Sequence, residues 1–185
     1  GATRQVTVTA GELTVGGAIS NTGAIPSSFI KAGAGKLILA GANTFGGVGQ
    51  SVLLSLGTLD INSSAALGDS ANTFNIAAGT LNNSSGAALT LNNYAQTWSG
   101  NFSFTGTNNL NLGAGPVTLD GATRIVTVNG GELTVGGVIG NTSGLLSSFT
   151  KSGTGKLTLS GANSFGGAGQ TVLLTAGTLN INHPS

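Results

Sequence analysis

Apolar and polar residues alternate with a period of two in short segments along the whole chain. Clear examples are Gln5–Thr9, residues 100–104 and Asn109–Leu112. This alternation is typical of β-strands with one buried face, because successive side chains of a strand point to opposite sides. No segment shows a sustained apolar period of 3.6 residues, and the helix-favouring residues Glu, Lys, Arg and Met are scarce. We therefore expect an all-β chain.

A long internal repeat is superimposed on this alternation. Residues 28–62 return as residues 148–182, and adding 120 to a residue number maps one copy onto the other without a gap, as for Phe29 and Phe149 or Asn43 and Asn163. We divide the chain into repeat copy one (1–62), divergent coils (63–120) and repeat copy two (121–182). No linker or charge run interrupts it, so residues 1–185 are expected to form a single continuous solenoid.

A shorter period sets the size of the structural unit. Gly-x-Leu or Gly-x-Phe marks fall at Leu13, Leu37, Leu59, Leu81 and Phe102, at intervals of 24, 22, 22 and 21 residues. Strands this short cannot bury an apolar face alone, whereas stacked coils share one core. The spacing predicts a right-handed parallel β-helix with about 22 residues per coil and roughly eight coils, stacked about 4.8 Å apart.

Composition and charge exclude several classes of function. Only 6% of the residues are charged, against about 25% in ordinary domains. The six basic residues are dispersed and the net charge is +1, so we expect no nucleic-acid binding, which needs a basic stripe. No apolar run is long enough for a membrane-spanning segment, and with no cysteine the chain has no disulfide or thiolate chemistry.

The five acidic residues do not suggest a catalytic pair. Glu12 and Glu132 occupy the same place in the two copies, so they cannot face each other across one site. Arg4 and Arg124 repeat in step with them, which suggests a structural ion pair between neighbouring coils. The remaining acids are Asp60, Asp69 and Asp120.

A pair built from Asp60 and Asp69 remains open, although Asn180 stands at the position of Asp60 in copy two. A glycosidase needs two carboxylates in one cleft, and no such pair is supported. The single histidine, His183, lies at the end of the chain, where exposure is expected rather than a role as a base. We expect no enzyme activity and no catalytic, cofactor-binding or metal-binding residues.

Three other features are explained by structure better than by a binding function. Residues 33–36 superficially resemble a phosphate-binding loop, but Ile30 replaces its first glycine and Leu37 its Ser or Thr. The Thr7 and Thr9 pair does not recur on every coil, as a flat ice-binding face would require. The aromatic residues could contact sugars if exposed, but repeated aromatics of a solenoid more often stack in the core; they are Phe29, Phe45, Trp98, Phe102, Phe104, Phe149 and Phe165.

One motif resembles a known family. Lys-x-Gly-x-Gly-Lys-Leu-x-Leu-x-Gly-Ala-Asn-[Thr/Ser]-Phe-Gly-Gly, followed by Gly-Thr-Leu-x-Ile, is similar to the passenger-associated transport repeat of bacterial autotransporters. The resemblance covers residues 28–62 and 148–182. It implies a right-handed β-helical stalk that is extracellular or exposed on the bacterial cell surface, with a role in secretion or display rather than catalysis.

The expected function is therefore that of a structural solenoid: a stalk, surface scaffold or fibre. The alternatives are an adhesin segment that binds surface glycans and, as the least favoured, a polysaccharide-active enzyme. Both ends of the chain lie within the solenoid pattern, and uncapped end coils expose unpaired strand edges. We expect end-to-end self-association, the Gly1 end against the Ile181 end, unless the chain is part of a longer array.

Overall fold

The computed structural model describes residues 2–23 and 25–182, which form twenty short strands and no helix. Most strands have three or four residues, as the segments of alternating pattern predict. In chain order they are β1 (Arg4–Thr7), β2 (Glu12–Val15), β3 (Phe29–Ala32), β4 (Lys36–Leu39), β5 (Ser51–Leu54), β6 (Thr58–Ile61), β7 (Thr73–Ile76), β8 (Thr80–Asn82), β9 (Leu89–Thr90), β10 (Ala95–Trp98), β11 (Phe102–Phe104), β12 (Leu110–Asn111), β13 (Val117–Leu119), β14 (Arg124–Val128), β15 (Glu132–Val135), β16 (Ile139–Asn141), β17 (Phe149–Ser152), β18 (Lys156–Leu159), β19 (Val172–Leu174) and β20 (Thr178–Ile181).

These strands form three parallel sheets that the chain visits in turn. The first sheet has the order β1-β3-β5-β7-β10-β13-β16, the second β2-β4-β6-β8-β11-β14-β17-β19, and the third β9-β12-β15-β18-β20. Paired strands are about 22 residues apart in sequence, as between β3 and β5. The prediction of an all-β solenoid is confirmed, with about eight turns.

Apolar side chains in register form the core. Leu37 pairs with Leu59, and Leu59 with Leu81, so that three leucines stack in one column, each with no exposed surface. Burying one such side chain contributes roughly 1.5–3 kcal/mol. Because every coil adds one inward residue to each column, the core runs the length of the rod.

The two repeat copies lie on different faces of the rod. β1 and β2 belong to the first and second sheets, whereas their counterparts β14 and β15 belong to the second and third. The same displacement relates β5 and β6 to β19 and β20. A repeat of 120 residues is about five and a third coils, so copy two is turned by one face relative to copy one. A fixed sequence position thus has a fixed local environment but not a fixed face.

Residues of the two end coils are more exposed than their counterparts in interior coils, which have a further coil stacked on them. Leu13 in β2 is 43% exposed, while its counterpart Leu133 in β15 is completely buried. At the other end Ile181 in β20 is 56% exposed, while Ile61 in β6 is completely buried. The difference comes from position along the stack, because the residues are chemically identical or nearly so.

Candidate functional site

A lysine is buried in one corner of the coil in copy one. The ammonium group of Lys31 donates hydrogen bonds to the carbonyls of Ala32 (2.9 Å), Gly33 (2.7 Å) and Leu56 (2.9 Å). Leu56 belongs to the next coil, so the lysine ties two coils together. Burial lowers the pKa of Lys31. All three ammonium hydrogens are used by main-chain oxygens, which indicates a structural clamp.

Copy two repeats this clamp. The Lys151 ammonium donates to the carbonyls of Ser152 (2.7 Å), Gly153 (2.7 Å) and Ala176 (3.1 Å), and burial lowers its pKa as well. The sequence interpretation treated both lysines as dispersed charges and missed this role. The alternation of side chains along a strand could have revealed it. Lys31 lies two residues after the inward-facing Phe29 and therefore also points inward.

The repeated glutamates form ion pairs between coils, but not with arginine. The carboxylate of Glu12 lies 2.7 Å from the Lys36 ammonium, and that of Glu132 lies 3.1 Å from the Lys156 ammonium. The predicted pairing of these glutamates with Arg4 and Arg124 is wrong. The partners are set by strand register, which places each glutamate directly beside the lysine of the next coil.

Glu132 also has a partner that Glu12 lacks. The hydroxyl of Thr158 donates to the Glu132 carboxylate at 2.6 Å. This hydrogen bond, with the Lys156 ammonium, lowers the pKa of Glu132. At the position of Thr158 copy one has Ile38, so this side-chain hydrogen bond has no counterpart in copy one.

Arg124 is buried, with its guanidinium bound to main-chain oxygens. Its Nε donates to the carbonyl of Trp98 in the preceding coil at 2.8 Å, and its terminal nitrogens donate to the carbonyls of Asp120 and Thr123. Its counterpart Arg4 in the first coil is exposed. The arginine of this repeat therefore reaches down to the coil below when one is present.

The two aspartates left open as an acid pair each have a local structural role. Asp60 is fully buried, where it accepts hydrogen bonds from the Asn82 side chain (3.0 Å) and the main-chain amide of Ser84 (2.9 Å). Asp69 is exposed and accepts from the amide of Ala71 at 2.8 Å. The Asp60 contacts join neighbouring coils, and the Asp69 contact closes a local turn.

Several other sequence-level predictions can be placed. Residues 33–36 form the clamped corner, with the Gly33 carbonyl bound by Lys31 and with Lys36 paired to Glu12. His183 lies outside the described residues. In residues 2–23 and 25–182, no three His, Asp or Glu side chains are grouped as metal ligands, and no helix has the length and hydrophobicity of a membrane span.

The aromatic residues stack inside the rod, as predicted. Trp98 has no exposed surface and lies edge-on to Phe102, with ring centroids 4.9 Å apart. Its ring also lies 6.4 Å from that of Phe149, which in turn lies 5.4 Å from Phe165. The series Phe102, Trp98, Phe149 and Phe165 thus forms a column of aromatic rings through several coils.

A pocket of about 470 Å³ opens at the N-terminal end of the rod. Its walls include Arg4, Asn21, Phe29 and Phe45, and the two phenylalanine rings are 5.4 Å apart. By the 120-residue repeat, Phe29 and Phe45 correspond to Phe149 and Phe165 of the aromatic column. The pocket lies beneath Phe29. The equivalent space beneath Phe149 is filled by the Trp98 ring.

The C-terminal end has an unfilled position of its own. In copy one, the side-chain amide of Asn43 accepts from the amide of Ile19 below (2.8 Å) and donates to the carbonyl of Ala66 above (2.6 Å). In copy two, Asn163 keeps the lower bond, to Ile139 at 2.9 Å, but its buried amide nitrogen has no acceptor. A further coil above Asn163 would supply this acceptor.

Comparisons with known proteins agree with the sequence motif. The Passenger-associated-transport-repeat family matches residues 29–82 and 149–181. The chain is also similar to the adhesin BmaC autotransporter of Brucella suis biovar 1 (strain 1330), with 42% identity over 86 residues. No solved structure matches.

That alignment covers 46% of this chain and 2% of the relative. The chain therefore spans a very small part of the length of the curated relative that it matches. The likeness concerns the repeat itself.

Proposed function

We propose that the protein is a structural segment of a bacterial autotransporter passenger. It acts as an extracellular or surface-exposed stalk or scaffold. The match to passenger-associated transport repeats at residues 29–82 and 149–181 supports this proposal. The observation that best supports this role is the use of its polar groups: buried lysines, arginine and aspartate all bind atoms of the rod itself. A polar side chain whose hydrogen bonds are all made within the rod stabilises the rod and is not available to bind or convert a ligand.

End-to-end association of these rods is the finer part of the proposal. Val172 and Ile181 in the last coil are 50% and 56% exposed, whereas Val52 and Ile61 at the same repeat positions are completely buried under the next coil. The described end coils thus expose positions that are buried inside the solenoid. Unpaired strand edges and exposed apolar side chains together favour stacking of a second copy.

Light scattering over a concentration series, followed by electron microscopy, tests this association. We expect the mean mass to rise with concentration and thin filaments to form with an axial repeat of about 4.8 Å. Monodisperse short rods at every concentration would show that single chains do not stack. The proposed role as a stalk segment would then stand without end-to-end association.

Adhesion is the second candidate function, because the matched relative is named an adhesin. Two exposed apolar loop positions are available for contacts with a surface: Ile25 is 64% exposed, and Leu145, at the same repeat position, is 45% exposed. A glycan array probed with the purified chain tests this candidate. Binding that is lost in an Ile25→Ser, Leu145→Ser double variant would favour it, and an array without signal would count against glycan adhesion.

A further inference from the structure

The interior of the rod shows how the pocket at the N-terminal end is filled when a coil lies beneath it. Under Phe149 the space is taken by the Trp98 ring, 6.4 Å away, and Arg124 donates to the Trp98 carbonyl at 2.8 Å. Phe29 and Arg4 are the counterparts of Phe149 and Arg124 in copy one, and both line the open pocket. The pocket is therefore shaped for an aromatic ring with a main-chain carbonyl within reach of Arg4.

The opposite end of the rod presents such a ring in the same column. Trp98 pairs with Leu119, Leu119 pairs with Asn141, and the Asn141 side chain donates to the carbonyl of Gly166 at 2.8 Å. Gly166 thus lies at the top of the Trp98 column, next to Phe165. The Phe165 ring is only partly buried, whereas its counterpart Phe45 is 3% exposed.

The sheets fix the rotation at which two copies would continue each other. The last strands, β19 and β20, lie on the second and third sheets, whereas the first strands, β1 and β2, lie on the first and second. Placing β1 on β19 and β2 on β20 turns the second copy by one face, about a third of a turn. The two repeat copies within one chain are related by this same displacement.

This rotation brings the pocket over the aromatic ring. Residues 16–22 run on from β2, and several of them line the pocket. With β2 on the third sheet of the copy below, they cross the first-sheet side, where residues 160–171 of that copy lie. Phe165 then faces the space beside Phe29.

We infer that Phe165 of one copy inserts into the Arg4–Phe29–Phe45 pocket of a second copy, turned by a third of a turn. The Arg4 guanidinium donates to a main-chain carbonyl beside Phe165, as Arg124 does to that of Trp98. This pairing rests on the end-to-end association proposed above and specifies the residues and the rotation.

The test uses two single variants, one for each face. Phe165→Ala removes the ring from the C-terminal face, and Arg4→Glu reverses the charge at the pocket. Each variant alone should form filaments only at a concentration raised roughly tenfold or more. Val48→Ala is the matched control, because Val48 is 87% exposed on the side of the rod and the change should leave assembly unaltered.

Mixing distinguishes this pairing from a general loss of stability. Phe165→Ala keeps an intact pocket, so it should bind to the growing end of wild-type filaments and then block it, which shortens them at substoichiometric amounts. Arg4→Glu should shorten them from the opposite end. The double variant has neither face and should not shorten them.

The outcomes separate the two proposals. Wild-type filaments together with single variants that assemble as readily as Val48→Ala would overturn the Phe165 pairing and leave end-to-end association standing. Single variants that fail to assemble but do not shorten wild-type filaments would also overturn the pairing. A wild-type chain that never assembles would overturn both.

Discussion

Few charged side chains are buried in the described residues, and the cations Lys31, Lys151 and Arg124 are bound by main-chain carbonyls. Lys31 lies in a corner where three carbonyls converge on its ammonium group. Carbonyls at a buried turn have no water to bind, so the lysine replaces the solvent that the corner excludes. Its pKa is lowered by burial, yet the three contacts keep the ammonium group in place.

Lys31→Met tests this account of the clamp. The substitution keeps the length and apolar volume of the side chain but leaves three buried carbonyls without a donor. We expect a loss of stability on the order of 3 kcal/mol, measured by urea denaturation. Lys36→Met is the control with the same change of charge, because the Lys36–Glu12 pair is exposed and should cost less than about 1 kcal/mol. Equal losses in the two variants would contradict the clamp.

The Thr158–Glu132 hydrogen bond predicts a difference between the copies in acid. The pKa of Glu132 is lowered, chiefly by the Thr158 hydroxyl and then by Lys156. The associated stabilisation is therefore fully present above the ordinary carboxyl pKa of 4.5 and is lost as the pH falls through the lower folded value. We expect Thr158→Val to reduce the loss of stability between pH 5 and pH 3, as measured by urea midpoints across that range.

Copy one offers the reverse experiment. Ile38→Thr places a hydroxyl beside Glu12 and should add acid-dependent stability of the same sign. If neither variant changes the pH dependence, the Thr158 hydroxyl has no influence on the titration of the neighbouring glutamate.

At the scale of the coil, close stacking depends on corners without side chains. Gly57 has a φ of +74°, and a Cβ atom there would lie 2.3 Å from the carbonyl oxygen of Gly33 and 2.5 Å from that of Gly35. Gly49 has nearly the same φ, +76°, but open space around its Cβ position. The two glycines therefore separate the requirement for a left-handed backbone from the requirement for space between coils.

Replacing each of these glycines with alanine measures the two requirements. Gly49→Ala should cost only the left-handed conformation, about 1–2 kcal/mol. Gly57→Ala should cost clearly more, because the adjacent corner must move before the coil can close. Urea denaturation provides the comparison, and equal losses would mean that coil spacing at this corner is loose.

The sequence predicts the coil well and the relation between coils less well. The 22-residue interval is visible because Gly57-x-Leu59 and Gly79-x-Leu81 must recur at each closure of the coil. Repetition alone pairs Arg4 with Glu12, but repetition does not show which residues the strand register places side by side. The interval of 24 between Leu13 and Leu37 already places Glu12 beside Lys36.

Two other features required the structure. The turn of copy two onto a different face follows from summing coils of unequal length, from 21 to 25 residues, and no single motif carries that sum. The pocket and the unpaired amide of Asn163 are properties of the end coils, whose sequence closely resembles that of the matching interior coils. The right-handedness of the solenoid stays a prediction.

At the scale of the whole molecule, residues 2–23 and 25–182 form a rod whose first and last described coils expose apolar side chains that are buried in the interior coils. A stack of parallel coils has a natural direction, so its two ends differ and complement each other rather than themselves. Association of one end with the other is therefore heterologous, and such contacts extend into filaments rather than closing into dimers. The stacking that we propose would therefore extend the rod rather than close it.

Hydrogen–deuterium exchange of dilute and concentrated protein is the most direct measurement of this account. We expect the amides of β1, β2, β19 and β20 to become protected as concentration rises, while those of central strands such as β8 and β11 remain protected at all concentrations. Protection that appears instead along one side of the rod, or end strands that exchange equally fast at every concentration, would contradict the claim that the open ends receive another copy.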